Sequence, residues 1–424
     1  MEIAERHVPG KRTVLPYYLT AAFCLVIIFL MALFAIKDFG GHFFQPHLLA
    51  ITHLTVFGWG TMIILGATNQ LMPVIADTKL YSEKLPVAAF LFLVPGTCLL
   101  VHSFWSFELT WPIFVGAFSV LSALALHSIN IFVTASRSPV KNIVIDFVMT
   151  AHVWLMLTAL IGITLLLNFR LGFLPAGHLH YLKVHATIGM AGWFLLLIIG
   201  VSSRLVPMFL LSRKELKLCL TLAYYLINSA LVLFLTEGMI LQSNAGYLFY
   251  YLLIAAGIGS YLYYIWRCYK SAIRKKMDSG MKVSFMAIGT ICLPAVIIAA
   301  GMLHAKEAPV AIVTAYGYSF FLGFITMLIM GQTFKTLPFI VWMHLTRPDR
   351  LQQLQPKDLY NDKLVVLQQW IYLPGFLLFL SGILVPSGYL MYPGCIMMIA
   401  ASVLYFGHAF YVVYQLKNER YRNY

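Results

Sequence analysis

The chain has 424 residues, 61% of them hydrophobic and 10% charged, with a mean hydropathy of +0.84. A water-soluble globule carries about 25% charged residues, so this composition excludes that class and predicts an integral membrane protein. The formal net charge of +14 would suit nucleic acid by size alone, but the charge is segregated by loop, and that makes it a topology signal with no nucleic-acid partner implied.

Apolar runs of about twenty residues cross the roughly 30 Å hydrocarbon layer as helices. They occur near 15–36, 48–72, 86–106, 112–134, 143–168, 181–210, 219–240, 246–267, 284–305, 310–342, 368–387 and 390–415. The fold class predicted is an all-α polytopic membrane protein of about twelve transmembrane helices in three pseudo-repeated four-helix units. A barrel is excluded because the runs lack its alternation. Residues 1–12 are polar and the first apolar run has no small-residue cleavage pattern, so it reads as a retained first helix.

Taken in order, helix 1 leads to an outward loop, KDFGGHFFQPH, which carries His42 and His47 just before helix 2. His53 lies about one turn below the outer end of helix 2, and Asn69 and Gln70 sit near its inner end. Helix 3 ends at His102 and Trp105, and His127 and His152 fall deep in helices 4 and 5. The next outward loop, FRLGFLPAGHLHYLKVH, holds His178, His180 and His185 and opens helix 6. Helices 7 and 8 contain no histidine, and a basic connector, RCYKSAIRKKMDSGMK, follows them. Helix 9 ends at His304, helix 10 carries Tyr316 and Tyr318, the polar loop 344–367 is a small lid or a linker, and helix 12 contains His408.

Counting by alternate loops puts 25 of the 29 Lys and Arg on one side, including Lys11, Arg12, Arg137, Lys141, Arg213, Lys214, Arg274, Lys275, Lys276, Arg347, Arg350, Arg420 and Arg422. The other side has Lys37, Arg170, Lys183 and Lys306. By the positive-inside rule both termini are cytoplasmic, in a cell (inner) membrane, with added attraction to anionic lipid heads. The six cysteines form no C-x-x-C or C-x-x-C-H, so neither a disulfide frame nor covalent c-type haem is indicated.

One pattern recurs. Gly58, Gly66 and Pro73 are followed by Gly192, Gly200 and Pro207 and then by Gly323, Gly331 and Pro338, always with gaps of eight and seven. The copies stand 134 and 131 residues apart, and a polar residue precedes each proline by three: Gln70, Arg204 and Lys335. The marked runs fall on helices 2, 6 and 10, which predicts repeats of roughly 13–140, 141–280 and 281–415 within a single membrane domain.

Eight histidines (42, 47, 53, 102, 178, 180, 185 and 304) map to outer helix ends or outer loops. Ligand-capable groups in lipid are costly and mark function, and imidazole is a common ligand for haem iron and copper. The competing use of each is interfacial hydrogen bonding. His53 and His185 stand out because they precede the first glycine of a repeat by five and seven residues. Gly58, Gly60, Gly189 and Gly192 leave room for a flat macrocycle, or for close helix packing.

HLTVFGWG and HATIGMAGWFLLLIIGVSSRLVP, on twelve helices in three quartets with both termini inside, resemble helices 2 and 6 of subunit I of the haem-copper oxidases, nearest the C-type oxidase and nitric oxide reductase branches. The resemblance implies that His53 matches a low-spin haem ligand and His185 the first copper histidine. It also implies haem b as cofactor, copper as a second metal, and a cytochrome or oxidase subunit as partner besides the lipid bilayer; His178 and His180 are further metal-ligand candidates from the outer histidine cluster. The chain departs from that pattern at helix 10, where Tyr316 and Tyr318 replace a histidine pair, and at helix 7, which lacks the family's adjacent histidines. Tyrosinate can ligate ferric haem, so either tyrosine could complete a shell, as could His47; the other reading is buried tyrosines bonding across helices. His127, His152 and His408 lie off the pattern and read first as satisfied interhelical hydrogen bonds, and otherwise as a ligand in a rearranged site or part of a polar chain. The spans hold almost no carboxylate beyond Asp146 and Glu237, a poor supply of protonic groups.

The function expected is a haem-binding protein with an incomplete binuclear centre, in electron transfer or oxygen or nitric oxide handling. The alternatives are a divergent terminal oxidase or nitric oxide reductase, and a copper or haem transporter or oxidase assembly factor.

Overall fold

The structure is a computed structural model that describes residues 9–212, 216–273, 277–304, 310–345 and 354–417, the side chains of 302–304 excepted. Arg213, Lys214, Arg274, Lys275, Lys276, Lys306, Arg347, Arg350, Arg420 and Arg422 of the charge count, the side chain of His304, and part of the 344–367 loop lie outside the described residues.

The protein is all helical, with no strand among the described residues, and twelve helices are long and apolar enough to cross a membrane. They are α1 (Lys11–Phe34), α2 (Pro46–Ala76), α3 (Lys84–Ser106), α4 (Trp111–Ser136), α5 (Ile143–Leu171), α6 (His178–Leu210), α7 (Lys217–Leu241), α8 (Tyr247–Lys270), α9 (Ser279–Gly301), α10 (Val310–Leu345), α11 (Asp362–Leu384) and α12 (Gly388–Lys417). Several start earlier than their apolar runs. Helix α11 begins at Asp362 because the Asn361 side chain accepts the Lys363 N–H at 3.0 Å, so its first turns are polar and hydropathy does not register them.

The marked helices α2, α6 and α10 are the longest, at 31, 33 and 36 residues, and the most buried. Each contains a π-helical stretch around its first glycine: Leu54–Thr61, Ile188–Leu195 and Ser319–Ile325. The residue entering each stretch stands five before that glycine: His53, Thr187 and Tyr318. By this register the counterpart of His53 is Tyr318, and the counterpart of His185 is Tyr316. Pro73, Pro207 and Pro338 lie inside the helices that follow.

The chain packs as two units. The first comprises Met1–Leu71, Leu93–Gly116 and Asp278–Tyr424; the second, Met72–Phe92 and Ala117–Met277.

Within the first unit, small residues let backbones meet. A Cβ on Gly331 would lie 2.8 Å from the Gly280 carbonyl oxygen, and one on Gly280 would lie 2.7 Å from that of Gly331, which locks α9 against α10. Gly375 and Gly394 do the same for α11 and α12, at 2.9 and 2.8 Å. A Cβ on Gly66 would meet Tyr17 of α1 at 2.7 Å. Buried cross-helix bonds join Trp59 Nε1–H to Thr326 Oγ1 (2.9 Å), Tyr372 O–H to the Leu322 carbonyl (2.7 Å) and the hydroxyls of Thr333 and Tyr405 (2.8 Å).

In the second unit the corresponding contacts hold α6 against α5. Added Cβ atoms at Gly192 and Gly200 would meet Trp154 at 2.6 Å and Phe147 at 2.5 Å. The turn between α7 and α8 is braced by Glu237, which is 5% exposed; its carboxylate accepts the Gly246 N–H at 2.9 Å and the Tyr250 O–H at 2.7 Å.

Candidate functional site

A neutral imidazole carries one N–H and one lone pair, and the partner of the N–H decides which nitrogen can act as a ligand. His53 stands where α2 passes into its π stretch. Its Nδ1 lies 2.7 Å from the Leu49 carbonyl, which can only accept, so Nδ1 bears the proton and Nε2 the lone pair. That is the ring's one hydrogen bond among the described residues. The ring stacks on Phe104 at 4.5 Å and lies 6.1 Å from Phe57. This tautomer, fixed by a carbonyl behind it, is the arrangement seen behind metal-ligating histidines.

His185, in the second unit, has the same polarity through a different partner. Its Nδ1–H donates to the Thr158 carbonyl at 3.0 Å, and the ring packs on Gly162, where a Cβ would approach Cε1 to 3.0 Å. His53 and His185 thus belong to different units, each with its own supporting carbonyl.

The remaining rim histidines are committed differently. His47 Nδ1 is 2.5 Å from the Asp38 carboxylate, with its ring 4.2 Å from Trp105. His180 donates from Nε2 to the Gly238 carbonyl at 2.8 Å, and His178 packs on Phe169 at 4.3 Å. His42 is exposed, and its Nδ1 accepts the Phe44 N–H at 3.0 Å. His102 is exposed as well.

Tyr318 is buried, its ring held between Phe376 (5.2 Å, 5°) and Phe379 (5.1 Å, 14°). Its O–H points to the Phe376 carbonyl at 3.4 Å and to Met398 Sδ at 3.3 Å. It therefore bonds across helices within the first unit. Tyr316 is half-buried.

The space beside the marked glycines is occupied by protein. A Cβ on Gly58 would meet Leu54 at 2.6 Å and Cys24 at 3.1 Å; one on Gly189 would meet Thr158 at 3.1 Å; Gly192 faces Trp154. Those glycines serve close packing. No group of three or more His, Cys, Asp or Glu side chains able to hold a metal ion exists among the described residues.

Three features escape a reading along the sequence. His127 and His152 stack on each other at 5.3 Å, inside the second unit and wholly buried. Their equal distance from the connection between α4 and α5 was the available signal. Gln368, fully buried, has no partner among the described residues for either amide atom, and neither has Gln369, at 8% exposure; nothing in hydropathy separates them from the polar start of α11. His408, read as satisfied, is so only on one side: its Nε2 accepts the Asn361 N–H at 3.1 Å while Nδ1 has no partner among the described residues.

No protein-family model matches the chain, and no curated protein resembles it closely enough in sequence to register.

Proposed function

We propose that the chain is a haem-binding membrane protein, similar in layout to subunit I of the haem-copper oxidases, that takes part in electron transfer or in the handling of oxygen or nitric oxide. The observation that carries this reading is the His53 imidazole, whose Nδ1–H is fixed on the Leu49 carbonyl so that Nε2 holds the lone pair an iron would need. The carbonyl raises the basicity of Nε2 and sets its direction, and Phe104 holds the ring plane.

The residues fit one axial bond. Tyr318 is committed to Phe376 and Met398, and the room at Gly58 is filled by Cys24 and Leu54. A group held through a single imidazole suits this chain better than one held through His53 and Tyr318 together. Bound there, a b-type haem would supply one-electron chemistry and an iron able to take a small gas.

The membrane is the cell (inner) membrane in this reading, with both termini cytoplasmic and a cytochrome or oxidase subunit as redox partner. A reporter fused to the C-terminus would then be active only in its cytoplasmic form.

A second reading, a metal or haem carrier or an oxidase assembly factor, draws support from the buried amides of Gln368 and Gln369, whose missing partners suit a polar passage better than a sealed core.

Absorption spectra of purified, haem-supplied protein, oxidised and dithionite-reduced, test the proposal. A reduced b-type band that is lost in His53→Ala and kept in Tyr318→Phe is the expected result. Absence of a Soret band in the wild type overturns it.

A further inference from the structure

Helices α4 and α5 form an antiparallel hairpin across the short connection 137–142. His127 lies nine residues before Ser136, the end of α4, and His152 lies nine after Ile143, the start of α5. At about 1.5 Å per residue the two imidazoles stand at the same height, and their rings stack at 5.3 Å with 21° between planes. Both side chains are 0% exposed. Trp193, from the π stretch of α6, meets His152 edge-on at 5.1 Å, and Phe132 does so at 6.2 Å.

The His152 Nδ1–H donates to the Val148 carbonyl at 2.7 Å, so in the neutral ring Nε2 holds the lone pair. That nitrogen is buried and has no hydrogen-bond partner among the described residues. Leaving such a group unmatched costs folding free energy, and here it stands beside a second imidazole. It has the polarity of His53: N–H tied back to the carbonyl four residues earlier, lone pair forward.

The chemistry of the donors narrows the ligand. Two neutral nitrogens bring no negative charge, and no third His, Cys, Asp or Glu joins them among the described residues. A divalent ion would keep its full charge in an apolar interior with too few ligands, and the cost of burying an ion rises with the square of its charge. A monovalent ion content with two ligands meets neither objection, and imidazole nitrogens suit copper.

We infer that His127 and His152 form a buried two-histidine site for Cu(I) within the second unit. The site is independent of His53 and of any haem. The Val148 carbonyl is its positioning group, since it holds His152 with Nε2 forward.

The test uses the full chain in detergent, stripped of metal and titrated anaerobically with Cu(I) against a chromophoric bicinchoninate competitor. The background carries His42→Gln, His47→Gln, His178→Gln and His180→Gln, which removes four of the eight rim histidines. About one Cu(I) per chain should be retained. Loss of a supporting group behind a metal ligand already costs ten- to a hundredfold in affinity, so His152→Phe should weaken binding by about a hundredfold or more. Haem content, read in the same samples, should not change with His152→Phe, which separates failure of this site from failure of the His53 proposal. Should His152→Phe not fold, X-ray absorption of the Cu(I)-loaded background protein decides: two nitrogen neighbours support the site, and sulfur ligation by cysteine overturns it. Retention of Cu(I) by folded His152→Phe at unchanged affinity, or no retention at all, also overturns it.

Discussion

Gly192 and Gly317 show how one residue type plays opposite parts in neighbouring repeats. A methyl group on Gly192 would fall 2.6 Å from Trp154 Cβ, an atom too close to its own backbone to move aside, whereas one on Gly317 meets nothing within 4 Å. Gly192→Ala is therefore expected to destabilise by about 1–3 kcal/mol through overpacking. Gly317→Ala should gain up to about 1 kcal/mol in helix propensity. Thermal melting of the two variants in one detergent checks the pair, and a Gly192→Ala protein that melts with the wild type would remove the argument. Tyr318 makes a related point: among the described residues its O–H reaches a carbonyl at 3.4 Å and a thioether, so Tyr318→Phe should cost about 1 kcal/mol or less.

A π turn holds one residue more than the α-helix it interrupts, and such turns mark functional positions. Deleting Val56 from the Leu54–Thr61 stretch should remove the residue that the wide turn accommodates and restore regular helix, changing how the two flanking parts meet and straining the Trp59–Thr326 bond. A lowered melting temperature and, in haem-supplied protein, loss of the His53-dependent band are expected. Unchanged melting would show the extra residue to be dispensable. At the start of α9, Asp278 has two tasks: one oxygen accepts the Met281 N–H at 3.0 Å as the helix cap, and the other pairs with Lys335 of α10. Asp278→Ala loses both, Lys335→Met only the pair. The cap alone is worth about 1 kcal/mol, so the first variant should melt lower than the second; the reverse order would place the stability elsewhere.

For the molecule as a whole, the outer surface is itself a prediction about its surroundings. Leu160, near the middle of α5, is 48% exposed, and Leu171, at the end of that helix, is 66% exposed. With lipid around the protein, Leu160→Lys costs about 2.5–3.5 kcal/mol of insertion, while Leu171→Lys can extend its charge to the interface. The yield of membrane-inserted protein should fall in the first variant and hold in the second. Equal yields would argue that α5 does not face lipid there. The number and order of the spans were legible because a roughly 30 Å apolar layer demands about twenty apolar residues per crossing. Their ends were not, since the polar first turns at Pro46, His178 and Asp362 do not register in hydropathy, and of the three Asp362 alone follows a side-chain cap, Asn361.

The candidate site was only partly legible. His53 could be singled out from its distance to Gly58, but the carbonyl that orients it is a backbone atom, and no residue type announces which nitrogen of a ring bears the proton. The spacing likewise suggested room for a macrocycle at Gly58 and Gly192; whether a glycine opens a cavity or admits a neighbour depends on what the adjoining helix brings, here Cys24 and Trp154.

From its amino acids alone the chain determined that it is a bundle of apolar helices and which three of them carry a common pattern, because water excludes apolar runs and period survives in sequence. Only the tertiary structure decided that those three are the most buried helices, that each is interrupted by a π turn at its first glycine, and that His127 and His152 meet. Contacts between helices far apart in sequence depend on register and rotation, which side-chain packing sets one pair at a time.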